Sequence, residues 1–213
     1  MKKKEMKGKK LTLCKESLVL NDIQKEVLVG TFLGDATIPK QKLKNNYNVK
    51  FEQNYENKEY VSNLYEIFKD FVGTGPFLRE IKGGGAADRY SLWFRTYRHS
   101  LFTEYYNIFY KNGVKIVPLN LDQILTSRSL AYWFMDDGST SRRSNYNEYI
   151  LNTQAFTIED QLRICKIFTD KFNFDSLLHK DGNSYRICIK RSFSNEFKAL
   201  VNPFIVDCMK YKL

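Results

Sequence analysis

Apolar residues recur at helical spacing in two stretches, each of which ends at an aspartate. The first stretch, "NDIQKEVLVGTFLGD", begins with Asn21, and Gln24 follows three residues later in the order of a capping box. The second, "SLAYWFMDDG", is an apolar aromatic run that ends in Asp136 and Asp137. We predict a helix in each stretch, closed by Asp35 in the first and by Asp137 in the second.

Shorter segments are rich in β-branched and aromatic residues and partly alternate with polar ones, which is typical of strands. In "SYRICIKR", Tyr185, Ile187 and Ile189 fall on one face of a strand and the intervening residues on the other. The predicted strands cover residues 47–53, 90–97, 149–154 and 184–191.

These elements recur in the same order, which indicates an internal duplication. Asp35 and Asp137 are 102 positions apart, and Gln53 and Gln154 are 101 apart. We predict an α+β fold in which each half reads helix, two strands, helix, two strands, helix. The expected organisation is a basic tail (1–10), an N-terminal half (11–112), a linker (113–127) and a C-terminal half (128–213).

Composition points to a polyanionic partner. The 213-residue chain carries 34 Lys and Arg against 24 Asp and Glu, a formal net charge of +10. Such an excess favours nucleic acid, while the apolar runs are too short to span a membrane. The four cysteines are irregularly spaced, with no zinc-ligand pattern, and are expected to be reduced thiols inside a cell.

The two motif aspartates stand where the partial negative charge of a helix C-terminus opposes them. Gly30 and Gly34 lie four residues apart on the first helix, so this helix can pack closely against the second and bring the two ends together. A divalent cation would then offset the two carboxylates. Mg²⁺ prefers such hard oxygen ligands, and the exposed carbonyls of Gly34 and Asp136 can add further oxygens.

The strings "LVGTFLGDA" and "LAYWFMDDG" resemble the paired signatures of the LAGLIDADG homing endonucleases, of the single-chain, intron-encoded type. That resemblance implies two pseudo-symmetric αββαββα halves whose saddle-shaped antiparallel sheets bind double-stranded DNA, with the motif helices forming the interface between the halves. It also implies cleavage of both strands of a long asymmetric target, leaving short 3′ overhangs, with Mg²⁺ or Mn²⁺ as cofactor. By position, Asp35 and Asp137 are the metal ligands, and Lys115 and Lys212 are the lysines expected near the scissile phosphates.

Further residues are candidates for contacts with DNA. On strands and their ends these are Arg95, Arg186 and Lys190, and in loops after the motifs Lys40, Lys42, Lys44, Arg142 and Arg143. Charged loops of this kind are also common as merely solvated segments. Gln53 and Gln154 either lie beside the metal ligands at strand ends or cap the next helix.

Two other functions share this scaffold. Relatives of this kind also act as RNA maturases that assist intron splicing, and a catalytically silent DNA-binding protein would carry the same charge pattern. The sequence favours a monomeric endonuclease that acts on double-stranded DNA and not at a membrane. With no visible targeting peptide, it is expected to be made within a mitochondrion or chloroplast.

Overall fold

The computed structural model describes residues 17–39, 46–83, 89–142 and 147–213. The predicted basic tail and the candidates Lys40, Lys42, Lys44 and Arg143 lie outside these ranges. The first helix in these ranges is α1 (Asp22–Leu33). The chain separates into two compact units. One comprises the described residues up to Lys25 together with Asp35–Val114, and the other comprises Glu26–Gly34 and Lys115–Leu213.

The first unit contains a three-stranded antiparallel sheet of order β1-β3-β2, built from β1 (Lys50–Asn54), β2 (Phe77–Ile81) and β3 (Arg89–Arg95). Helix α2 (Lys58–Phe68) covers one face, where Phe51 lies between Phe68 and Phe94 with ring centroids 5.0 and 4.9 Å away. A single bridge, Thr37 to Lys50, continues the sheet beyond β1. Helix α3 (Ser100–Phe109) follows, and the short strands β4 (Tyr110–Lys111) and β5 (Val114–Lys115) form a hairpin.

The second unit repeats the pattern with a complete four-stranded sheet. After the short helix α4 (Leu121–Ile124), α5 (Ser127–Asp137) leads into β6 (Gly138–Arg142) and β7 (Asn147–Leu151). Helix α6 (Ile158–Phe172), strands β8 (Ser176–Asp181) and β9 (Ser184–Ile189), and helix α7 (Ser194–Val201) complete it. The sheet order is β6-β7-β9-β8, antiparallel throughout.

An aromatic core fixes the helices of the second unit onto one face of this sheet. Phe134 of α5 contacts Tyr149 and Phe197 at ring-centroid distances of 5.8 and 5.2 Å, and Phe174 lies 5.0 Å from Phe168. These side chains are at most 1% exposed. Their burial supplies much of the driving force that holds the motif helix α5 against the strands.

The architecture confirms the α+β fold with two sheet-bearing halves. The helix and strand order predicted for the second half is found in full. No helix within the described ranges is both long and apolar enough to cross a bilayer.

Candidate active site and nucleic-acid interface

Helix α1 (Asp22–Leu33) begins with the capping box that the sequence predicts. The Gln24 N–H donates to Asn21 Oδ1 at 2.9 Å, and the Asn21 N–H donates to Gln24 Oε1 at 3.0 Å. Two backbone donors at the helix start are thereby satisfied, which fixes where α1 begins and therefore where its last turn lies.

Glycines on α1 allow the two motif helices to touch. A Cβ at Gly30 would lie 2.2 Å from the carbonyl oxygen of Ser129, and one at Gly34 would lie 2.4 Å from Asp136 Cβ. The last two turns of α1 therefore run against α5 with backbone nearly in contact, as the spacing of the two glycines predicts. An ion pair between Arg128 and Glu26, at 2.8 Å, adds to this contact.

Helix α5 is fixed at both ends. The Thr126 hydroxyl accepts from the Ser129 N–H at its start, and the Asp137 carbonyl accepts from both the backbone N–H and the side-chain amide of Asn152, at 3.0 and 2.8 Å. At Gly138 the backbone is extended, and a Cβ there would lie 2.2 Å from the Phe134 ring. The glycine is thus needed for space, and the chain passes directly from the helix into β6.

The structure brings each predicted lysine to the end of one motif helix. Lys115 Nζ donates to the carbonyl of Gly34 at 2.7 Å. Lys212 Nζ donates to the carbonyls of Met135 and Asp136, at 2.5 and 3.2 Å. An ammonium group at a helix C-terminus offsets its partial negative charge, so both motif ends receive a cation from the chain itself.

Gln53 and Gln154 occupy different surroundings, although they match in the repeat. Gln53 Nε2 donates to Asp35 Oδ2 at 2.7 Å, which places it against a predicted metal ligand. Gln154 Nε2 donates instead to Asp181 Oδ2 at 2.7 Å, at the end of β8. Gln53 lies on β1, whereas Gln154 lies in the turn after β7, so the match of these two residues in the repeat does not extend to their structural surroundings.

The donors at the motif ends suit a hard divalent cation. Carboxylates and backbone carbonyls are the oxygen ligands that Mg²⁺ and Mn²⁺ accept. The carbonyls of Gly34 and Asp136 already accept from lysine ammonium groups. A cation bound to either carbonyl would lie next to a lysine ammonium group, which repels it, so the carboxylates of Asp35 and Asp137 are the better candidates.

The first sheet carries basic and aromatic side chains on the face opposite α2. Arg95 and Lys50 face each other across β3 and β1, and both approach the ring of Trp93, at 6.0 and 5.5 Å from its centroid. Arg79 adds a third cation, 3.3 Å from Glu52. Of these three cations, the sequence predicts only Arg95 as a DNA contact. The segment "KFEQN" of β1 is too short for its alternation to show which side chains share a face until its register with β3 is known.

Glu52 lies within this group of cations. Burial alone would raise the pKa of Glu52, but hydrogen bonds from Lys50 and Ser91 and the charges of Lys50 and Arg79 lower it overall. The carboxylate is therefore ionised and holds the surrounding side chains in place. The face nevertheless keeps a positive excess, which suits a phosphate backbone.

In the second unit, the predicted DNA contacts have protein partners or lie near other polar groups. Arg142 donates to the Tyr211 carbonyl at 3.2 Å, and Lys190 forms an ion pair with Asp175 at 2.8 Å. Arg186 is paired with His179 across β9 and β8. Arg186 thus stays a candidate for DNA contact on the face of the sheet. Arg142 and Lys190 also stabilise the fold around the strand ends.

Comparison with known proteins supplies the family. The model of the LAGLIDADG DNA endonuclease family matches residues 25–197. A probable intron-encoded endonuclease of Wickerhamomyces canadensis is 33% identical over 204 residues, covering 93% of this chain and 87% of the relative. A cytochrome b mRNA maturase of Debaryomyces hansenii is 28% identical, covering 88% of this chain and 72% of the relative.

Solved structures agree with this match. The homing endonuclease I-WcaI, determined bound to its DNA recognition sequence, superposes with a TM-score of 0.91 and 32% identity, covering 97% of this chain and 92% of that one. The structure of I-DmoI in complex with DNA and Ca has a TM-score of 0.52 and 16% identity, covering 84% and 88%, and shares the fold.

Proposed function

Because the chain belongs to the LAGLIDADG DNA endonuclease family, we propose that it is a site-specific endonuclease that cuts both strands of a long, asymmetric DNA target. The observation that carries this proposal is the pair of motif helices, which are in close contact, with an aspartate at or just beyond each C-terminus and a lysine bonded to the carbonyls there. The similarity to an enzyme bound to its recognition sequence supports DNA as the substrate. The intron-encoded relative supports a role in intron homing.

In this mechanism, Asp35 and Asp137 would hold divalent cations, Mg²⁺ or Mn²⁺, at the C-terminal ends of their helices. When bound, such ions lower the pKa of water and stabilise the leaving oxygen of a phosphodiester. Gln53 positions Asp35 by donating to Oδ2. Asn152 fixes the end of α5 and thereby positions Asp137.

Lys115 and Lys212 place ammonium groups beside the two helix ends. Each can orient the attacking water or stabilise the negative charge that develops on the phosphate oxygens. Because each lysine is anchored to the helix that carries the aspartate of its own motif, one lysine and one aspartate would serve each DNA strand. This arrangement suits a double-strand break by two similar hydrolytic steps.

The DNA would lie along the sheet faces that carry no core helices. On the first sheet, Lys50, Arg79 and Arg95 would contact phosphates or base edges, with Trp93 beside them. On the second sheet, Arg186 is the corresponding candidate. Phosphate contacts would supply most of the affinity and make it dependent on salt.

A cleavage assay tests the proposal. The substrate is a plasmid that carries the uninterrupted exon junction of the gene hosting the coding intron, incubated with protein and Mg²⁺. We expect a linear product with short 3′ overhangs, its loss in the Asp35→Asn and Asp137→Asn variants, and its retention in Asp170→Asn. Asp170 is a matched control because it is an exposed carboxylate paired with Lys166 on α6. Absence of a double-strand break by the unmodified protein would refute the proposal.

A second candidate function is assistance in intron splicing, which the similarity to a cytochrome b mRNA maturase favours. Binding to the host intron RNA and faster splicing in its presence would support that function. Because the Asp35→Asn variant would remove cleavage and leave the basic sheet faces unchanged, retained splicing activity in that variant would separate the two functions.

A further inference from the structure

Three strands of the second sheet bring together ligand atoms of three kinds. Glu148 on β7, His179 on β8 and Cys188 on β9 each offer one atom, and these atoms all lie within 4.8 Å of one another. The Cys188 thiol donates to Glu148 Oε1 at 3.3 Å. Two atoms bound to one tetrahedral zinc ion at about 2.3 Å (sulfur) and 2.0 Å (oxygen) would be roughly 3.5 Å apart, so this pair needs little adjustment.

We propose that Glu148, His179 and Cys188 form a binding site for a divalent cation of the zinc class. This site lies outside the motif aspartates and is independent of the endonuclease function proposed above. A thiolate and an imidazole select zinc-like ions over Mg²⁺, whereas carboxylates alone do the opposite. The protein would thus separate two kinds of metal by the softness of their ligands.

The side chains share one face of the sheet. Ile187 and Ile189 of β9 are buried on the face that packs against the core, so Cys188 between them points to the other face. Glu148 lies two residues from Ile150, which pairs with Cys188, and His179 lies two residues from Leu177, which also pairs with Cys188. Because antiparallel pairing fixes these registers, the three ligands are preorganised by the backbone.

Binding of a divalent ion would change the charge and protonation of this cluster. Burial, together with the hydrogen bond and charge of Glu148, raises the pKa of the Cys188 thiol to about 12, while Arg186 acts in the opposite direction. Without metal the thiol is therefore protonated beside an anion. On binding, the S–H bond breaks, a sulfur–metal bond forms and one proton passes to solvent. Without the ion, the charges of Glu148, Cys188 and Arg186 sum to zero. With the divalent ion included, the sum is +1, and this change occurs on the sheet face that is proposed to meet DNA.

Cobalt provides the probe, because Co²⁺ replaces zinc and its bond to a thiolate gives a charge-transfer absorption band that carboxylate ligands do not give. Metal-free, reduced full-length protein titrated with Co²⁺ should develop this band up to one equivalent. Zn²⁺ added afterwards should remove it. At a Zn²⁺ concentration about a hundred times Kd, Tm should rise by about 5–10 °C.

Variants assign the ligands. The band should be lost in Cys188→Ser and in His179→Gln, and it should remain in Cys165→Ser, a thiol on α6 outside the cluster. Circular dichroism of each variant checks that the fold is kept, and His179→Gln tests the site without altering the buried thiol. A titration without the thiolate band, or a band that persists in Cys188→Ser, would overturn the proposal.

The proposed endonuclease site is separated in the same experiment. The Asp35→Asn, Asp137→Asn double variant should retain the cobalt–thiolate band while losing Mg²⁺-dependent cleavage. Loss of the band in this double variant would show that the thiolate-bound ion depends on the motif aspartates and would contradict the separate site.

Discussion

Replacing Gly30 by alanine tests the close packing of the two motif helices. The added Cβ would lie 2.2 Å from the Ser129 carbonyl oxygen and 2.9 Å from Tyr132 Cβ, whereas real Cβ atoms essentially never come within 3.0 Å of a neighbour. Because the nearest atom belongs to the backbone, a change of side-chain rotamer cannot relieve the clash. The helices would have to separate by roughly 1 Å in a densely packed interior.

The expected magnitude follows from two opposing effects. Overpacking costs about 1–3 kcal/mol, and a clash with backbone at 2.2 Å falls in the upper part of that range, about 2–3 kcal/mol, while alanine gains about 1 kcal/mol over glycine in helix propensity. We therefore expect a net loss of about 1–2 kcal/mol in the free energy of unfolding, and a fall in Tm of about 2–8 °C for a chain of this size. Thermal and urea unfolding measure both quantities.

The control is Gly75→Ala, because a Cβ at Gly75 would meet no atom within 4 Å. That variant should change stability by less than about 0.5 kcal/mol. If the helices were not in contact, Gly30→Ala would stabilise the protein through helix propensity alone. A Tm equal to or above that of the unmodified protein would therefore refute the packing of α1 against α5.

Three further predictions concern charge. Lys212→Met removes the ammonium group at the carbonyls of Met135 and Asp136. We therefore expect the free energy of unfolding in urea to fall by about 1 kcal/mol, and cleavage to be slower while DNA binding is unchanged. Unchanged stability and cleavage would contradict this anchoring role. Arg95→Ala should lower the slope of log Kd against log salt by about 1, and an unchanged slope would mean that Arg95 contacts no phosphate. Burial raises the pKa of Tyr132 to about 12, so the stability that its neutral hydroxyl contributes is complete below about pH 10 and is lost, by about 3 kcal/mol, as pH rises through about 12. Tyr132→Phe should lack that part of the decrease, and identical pH profiles of the two proteins would contradict it.

Local patterns in the sequence predict the parts of the fold that depend on local chemistry. The capping box at Asn21 and Gln24 fixes the start of α1, and the glycine spacing at Gly30 and Gly34 predicts its contact with α5. Both are found in the structure. Each depends on residues within one helical turn, where the geometry is set by the backbone alone.

Features that depend on strand register could not be predicted in the same way. Lys50 joins Arg95 only through the pairing of β1 with β3, and Asn152 reaches the Asp137 carbonyl only because β7 turns back beside β6. Glu148 and His179 are 31 residues apart, and no spacing rule connects them. Antiparallel pairing creates such neighbours from distant segments, and a one-residue change of register would remove them.

The most direct test of the endonuclease function separates DNA binding from cleavage in one variant. Asp137→Asn removes a carboxylate that is proposed to bind the divalent cation and leaves the basic faces of both sheets intact. With Mg²⁺ and the target DNA, we expect no detectable double-strand break and a Kd within about threefold of that of the unmodified protein. A tenfold change in Kd would require a loss of about 1.4 kcal/mol in binding free energy. A double-strand break at the unmodified rate would contradict the assignment of Asp137 as a metal ligand of a DNA endonuclease.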